Sequence, residues 1–248
     1  MSLQFSDTTN LKGIVQQYEE EIGVDTATIS GNATKLKKLT AKVNLALDDF
    51  TKIAIQASGT WQYDDSNHTD YPIIKTNIVS GQNSYLITTD EQSNLVLDIY
   101  KVAILPSATA TTYVDVLPTD EQSQDDNSSF ISETTVTGQP RFYGKTGNGI
   151  FLDPTPGYNA TNGLKLYINR ENSYFTTSDT TKKPGIPGLF HRYLVLRPAE
   201  DYARINSLAT YAAIRAERMQ MEQAIKEYFY HREKDVPRRF EMSMIRHR

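Results

Sequence analysis

The chain has 248 residues, 38% of them hydrophobic and 23% charged, with a formal net charge of −4 and no cysteine. That length supports one large domain or two small ones with a real core. The acidic balance excludes a global basic footprint for nucleic acid. The missing cysteines exclude disulfides, thiolate nucleophiles and every Cys-based metal or redox site. No apolar run reaches the ~18 residues of a membrane helix, and "MSLQFSDTTN" lacks the charged-then-apolar pattern of a secretory signal. The expectation is a protein made and kept in a cytoplasm.

The first zone reads as helical. In "NLKGIVQQYEEEIG", Leu11, Ile14, Val15, Tyr18 and Ile22 fall on one helical face. Asn10 or Asp7 is the expected cap and Gly23 the expected stop. In "ATKLKKLTAKVNLALDDFTKIAIQAS", Leu36, Leu39, Val43, Leu47, Phe50 and Ala54 recur at helical spacing. Asn32 is the expected N-cap, and the helix is expected to run to about Ala57.

Residues 59–197 read as strands and loops. "YPIIKTNIVSGQNSYLIT", "LVLDIYKVAIL", "TTYVDVLP", "PRFYGKTGNGIFLDP" and "GLKLYINR" are strand regions punctuated by Gly and Pro. "TDEQSQDDNSSF" is an acidic loop or short helix. No helical crossovers separate the strands, so an antiparallel β domain is expected. Pro198, followed by Glu200 and Asp201, suits the start of a helix, and no Gly or Pro follows until Pro237. Unbroken, ~36 residues would span ~54 Å, so a bend near Ser207 is expected. The predicted fold class is α+β: an antiparallel helical bundle built from the N- and C-terminal regions, a large antiparallel β-sheet or sandwich insertion, and an extended C-terminal arm. The corresponding division is 1–58, 59–197, 198–233 and 234–248.

Candidate chemistry is sparse. "GQPRFYGKTGNG" contains a Gly-Lys-Thr, but a P-loop needs four residues between its first glycine and that triplet, and Gly138 and Gly144 are separated by five. Asn148-Gly149 is a turn signal, and Pro154 and Pro156 forbid a following helix. The stretch reads as a β-hairpin with Lys145 a surface charge near its tip. "YDDSNHTDYP" offers Asp64, Asp65, Asn67, His68 and Asp70 but fails the EF-hand pattern; it reads as a polar turn. His191, His231 and His247 lack zinc spacing. No catalytic, cofactor-binding or metal-binding residue is assigned.

Two stretches point to interfaces instead. "EYFYHRE" clusters Tyr228, Phe229, Tyr230 and Arg232; such residues on a long helix anchor protein contacts more often than they stack on nucleotides. The tail sets Phe240, Met242, Met244 and Ile245 among arginines. It reads as a disordered terminus, a nucleic-acid arm or a docking peptide. The alternating apolar residues suit an added strand or a groove-filling segment.

The order of these segments resembles the head-to-tail adaptor proteins, also called head-completion or connector proteins, of tailed bacteriophages. The resemblance lies in an N-terminal helix leading into "GTWQYDDSNHTDYP", in "IVSGQNSYLI", in "PRFYGKTGNGIFLDPTP" and in "PGIPGLFHRYLVLRPAEDYA". It covers most of residues 30–230, and none of the four is a catalytic signature. The resemblance implies a structural virion protein of the neck, not an enzyme, assembled in the host cytoplasm. It implies a ring of about twelve copies beneath the portal, closed by repeated contacts, that joins capsid to tail. Genomic DNA would pass through without specific binding, with no membrane and no cofactor involved. By position, Val236, Pro237, Arg238, Arg239, Phe240, Met242, Met244, Ile245, Arg246 and Arg248 become a portal-docking arm. Tyr228, Phe229, Tyr230 and Arg232 become a ring or partner interface. The β domain would face tail or collar proteins. The alternatives are another neck or tail component of the terminator or nozzle type, a nucleic-acid-binding regulator, and a hydrolase.

Overall fold

The computed structural model describes residues 3–58, 73–90, 93–119, 136–146 and 149–232. The acidic polar turn at 59–72, the acidic loop Asp120 to Asp126, the turn residues Gly147 and Asn148 and the whole C-terminal arm lie outside the described residues.

The described chain is mixed α+β, with four helices and one large curled sheet. Helix α1 (Ile14–Glu21) is shorter than the sequence pattern implies. Leu11 has φ 56° and lies outside the helix, 45% exposed, rather than on its buried face. Neither Asn10 nor Asp7 caps the helix. The N-cap is Gly13, and the first amides of the helix, Ile14 and Val15, donate to the carbonyls of Gln4 and Phe5. A Cβ at Gly13 would lie 2.2 Å from Gln16 Oε1 and 2.4 Å from the Asp7 nitrogen, so only glycine lets the leading segment lie this close. Asp7 instead accepts the amides of Thr9 and Asn10, closing a turn of its own. Gly23 stops the helix at φ 70°, as expected.

Helix α2 (Ala33–Ser58) begins where the sequence places it, with Asn32 Oδ1 accepting the Lys35 amide at 3.0 Å. Leu39, Val43, Leu47, Phe50 and Ala54 are buried. The C-terminal helical region is two helices, α3 (Tyr193–Ile205) and α4 (Tyr211–Arg232). The break comes where the bend was expected, with Ser207 at φ 51°. The start differs. The chain is helical five residues before Pro198, which sits inside α3 and leaves the Leu194 carbonyl without its usual donor. Burial of Tyr193, Leu194, Val195 and Leu196 outweighs the local cost of that proline.

The sheet has the strand order β1-β9-β3-β4-β6-β7-β2. Its members are β1 (Ile73–Ile78), β2 (Ser84–Leu86), β3 (Val96–Ile104), β4 (Val114–Pro118), β6 (Phe142–Thr146), β7 (Gly149–Asp153) and β9 (Ala160–Arg170). A separate pair joins β5 (Thr137–Gly138) to β8 (Thr155–Pro156). Most neighbours are antiparallel, but β4–β6 and β5–β8 are parallel, which corrects the purely antiparallel expectation. The long connection between β4 and β6 gives the chain room to return in the same direction, as a parallel pair requires. The two ends of the strand order meet, the Val79 amide donating to Tyr85 Oη at 3.2 Å, so the sheet wraps its own core. Ile74, Ile78, Tyr85, Val102, Ile104, Ile150, Leu152, Leu164 and Leu166 fill that core.

A second core unites all four helices through Phe5, Ile14, Val15, Leu47, Phe50, Leu194, Ile214, Ile225 and Phe229. The two cores are joined where β9 runs on across α2. Asn172 and Thr51 exchange hydrogen bonds, and Tyr174 Oη donates to Asp48. Asn44 pairs with both backbone groups of Phe175, whose ring stacks on Phe5 at 4.6 Å. No helix among the described residues is long and apolar enough to cross a membrane.

Candidate assembly interface

The glycine-rich stretch is resolved by its register. Gly144 faces Phe151 and Lys145 faces Ile150 across the β6–β7 hairpin. A strand follows the Gly-Lys-Thr, so no helix N-terminus is available for phosphate. Lys145 is not a free charge at a loop tip. Its Nζ lies 3.2 Å from Asp98 Oδ1 and donates to the Ile99 carbonyl at 2.6 Å, tying β6 to β3.

His191 is also structural. It is 2% exposed. Nδ1 accepts the Leu3 amide at 2.8 Å, so the proton sits on Nε2, which donates to the Ile186 carbonyl at 2.9 Å. Burial pushes its pKa below the usual histidine value. The ring clasps the N-terminal segment and the 186 loop onto the start of α3. Among the described residues, no group of three or more His, Asp or Glu is placed to hold a metal ion.

The remaining polar architecture binds helix to helix. Arg192 reaches Glu21 at 2.7 Å and Glu217 at 3.0 Å, linking α1, α3 and α4. Arg197 joins Asp49 of α2 at 3.0 Å and Asp201 at 3.1 Å. Arg218 lies between Glu200 and Glu222, and Tyr193 Oη donates to Glu222 at 3.2 Å. Burial, with the Glu222 carboxylate beside it, holds that hydroxyl above its usual pKa, so it remains a donor. These arginines were not singled out by sequence reasoning. Only the i,i+4 spacings of Arg197–Asp201 and Arg218–Glu222 were visible there; the cross-helix partners were not.

The pairs also fix direction. Lys42 is nearest Asp201 while Asp49 meets Arg197, so α2 and α3 are antiparallel. Glu200 meets Arg218 while Phe190 meets Tyr228, so α3 and α4 are antiparallel too. Helices α2 and α4 therefore run in the same direction. Their last turns come together around a groove of about 500 Å³ lined by Ile53, Gln56, Ala57, Lys226 and Tyr230.

The four residues proposed from sequence as an interface divide here. Tyr228 and Tyr230 are 39% and 59% exposed. Phe229 is not available to a partner: it is 1% exposed and packs edge-to-face on Phe50 at 5.8 Å. Arg232 is the last residue of α4. Helix α4 packs on α2 and α3 through a narrow stripe and leaves much of its surface open. Among residues 211–231 of the helix, only Ile214, Ile225 and Phe229 are buried, while Met219, Tyr228 and Tyr230 are exposed. A helix that is largely polar and exposed along ~33 Å is typical of one that bridges to something else.

No protein-family model matches the chain, and a search of curated proteins finds no match.

Proposed function

We propose that this chain is a structural subunit of a tailed-phage neck, a head-to-tail adaptor that forms a ring beneath the portal through its helices. The observation that carries the reading is α4, a 22-residue helix in which, among residues 211–231, three are buried while Met219, Tyr228 and Tyr230 are exposed. Such a helix gains stability from a neighbouring subunit, as expected of a protein whose fold is completed by assembly. The finer arrangement belongs to the same proposal: terminal helices as a ring-forming bundle, the β unit as an insertion facing tail or collar proteins, and residues 236–248 as the portal-docking arm. The shared direction of α2 and α4 supports it, because the end of α4 lies beside the α2–α4 groove. The cross-helix arginine pairs would hold the helices rigid while DNA passes.

Electron microscopy of purified particles of the encoding phage tests the proposal. The expected result is a ring of this chain between portal and tail, with α4 at the contact between copies. Absence of the chain from purified particles overturns it.

A further inference from the structure

A cavity of about 340 Å³ lies between α1, the 24–29 loop, α2 and the end of α3, away from the groove at the far end of α2. Its volume is within the ~300–1,000 Å³ range of ligand sites. Val24, Ile29 and Leu39 supply apolar wall, and Ile205 at its edge is 66% exposed. Lys35, Lys38 and Lys42 line one side. Lys42 has only a 3.9 Å approach to Asp201, and Lys35 and Lys38 have no carboxylate partner among the described residues.

Tyr18 forms part of the wall, 4% exposed, its ring edge-on to Tyr202 at 6.3 Å. Its hydroxyl makes no hydrogen bond among the described residues and is not one of the buried polar atoms left without a partner, so it stands open at the cavity. Partial burial, with Tyr202 and the Asp201 carboxylate nearby, raises its pKa, so the phenol can donate. Apolar walls, a phenol donor and three lysines together suit a carboxylate carried beside a bulky apolar side chain.

The chain itself contains that chemistry. Between Lys101 and Arg141 there is no basic residue, and residues 120–135 hold Asp120, Glu121, Asp125, Asp126 and Glu133 around the apolar pair Phe130-Ile131. We infer that this cavity is a socket for the acidic segment 120–135 of a second copy of the chain. The inference rests on the proposal that the chain assembles with itself, and it names which parts meet.

A second copy fits better than the segment's own chain. Thr119 and Val136 are held at the β4, β6 and β8 side, through the Tyr143 carbonyl and the Thr155 amide. The sheet meets α2 near Asp48 and Thr51. The lysine rim is therefore displaced ~20 Å along α2 and by a further two strand spacings, ~10 Å. The middle of the segment reaches at most ~26 Å from its anchors, so the same chain could fill its own socket only at nearly full stretch.

The absence of native cysteine makes disulfide trapping clean. Full-length Asn206→Cys, on the cavity rim, is mixed with full-length Ser129→Cys, beside Phe130, and oxidised; exposed Thr161→Cys replaces Asn206→Cys as the control. The expected result is a mixed dimer at least about tenfold over control, lost when Lys35→Glu and Lys38→Glu are added to the rim variant. Circular dichroism of each variant confirms that it is folded. A yield equal to control, or one indifferent to charge reversal, overturns the socket. So does a chain carrying both cysteines that closes only on itself. A chain that forms rings in particles but gives no such dimer overturns the socket and leaves the ring reading standing.

Discussion

Replacing Glu19 with alanine should lower stability by about 3 kcal/mol, far more than an ordinary polar residue on a short helix. The Glu19 carboxylate is 2% exposed. It accepts the amides of Ala27 at 3.2 Å, Ile29 at 2.7 Å and Ser30 at 2.8 Å, and the Ser30 hydroxyl at 3.2 Å. One side chain on α1 thus organises the loop that leads into α2 and carries Thr28 and Ile29 into the cavity wall. Hydrogen bonds to a charged group contribute about 1.5–3 kcal/mol each, but burying the carboxylate costs several kcal/mol. In the alanine variant water can reach the part-buried Ala27 and Ser30 donors. The fully buried Ile29 amide is left unsatisfied at about 1–3 kcal/mol, and the lost charge-assisted bonds bring the net to about 3. Glu19→Gln keeps an oxygen for the three Oε1 bonds and turns its NH₂ toward the Ala27 amide, so it should cost only about 1–1.5 kcal/mol. Urea unfolding followed at 222 nm reads both. At a slope near ~3 kcal/mol/M, the midpoint falls by about 1 M for alanine and less than half that for glutamine. An alanine variant within about 0.5 kcal/mol of the parent, or a glutamine variant equally damaged, would show that the loop is held by packing and not by this carboxylate.

Three further outcomes are expected. The Arg170–Asp90 pair is 2.9 Å long with side chains 2% and 4% exposed, so Asp90→Ala should cost about 3–5 kcal/mol, while Asp90→Leu with Arg170→Met recovers most of it; equal losses in single and double variants would argue against a buried electrostatic origin. Gly163→Ala puts a Cβ 2.7 Å from Ala160 Cβ and 2.9 Å from its carbonyl, an overpacking cost of about 1–3 kcal/mol read as a Tm fall of roughly 2–4 °C per kcal/mol. His191 is neutral in the fold with its pKa depressed by burial below 6.5. Its contribution is therefore complete above about pH 6.5 and declines as pH falls, because the unfolded chain takes up a proton that the folded chain refuses, until the folded pKa is reached. Melting temperatures across that window should show the decline in the parent and a shallower one in His191→Gln.

Local signals were legible where local chemistry decides. Asn32 and Gly23 bound their helices as read. The errors have a common form. Leu11 matched the helical period, but the helix starts later because Gly13 must admit the leading segment beside Gln16. Pro198 matched a helix start, but burial of residues 193–196 extends the helix upstream of it. Phe229 looked equivalent to Tyr228 and Tyr230 because α4 is polar nearly all round; only the position of Phe50 decides which aromatic turns inward. Lys145 is an exposed charge, as read, but its partners on β3, Asp98 and the Ile99 carbonyl, had no sign in the sequence.

The sequence by itself determined the element order, the helix–strand–helix zoning and the absence of cysteine chemistry, since periodicity, turn residues and composition are properties of neighbours along the chain. Tertiary structure alone decided the parallel β4–β6 pairing, the curl that brings Tyr85 to Val79, the arginine ties across α1–α4 and the lysine-rimmed cavity against Tyr18. Each of these joins residues distant in sequence, and their energies depend on burial and on a partner's position, which no local pattern encodes.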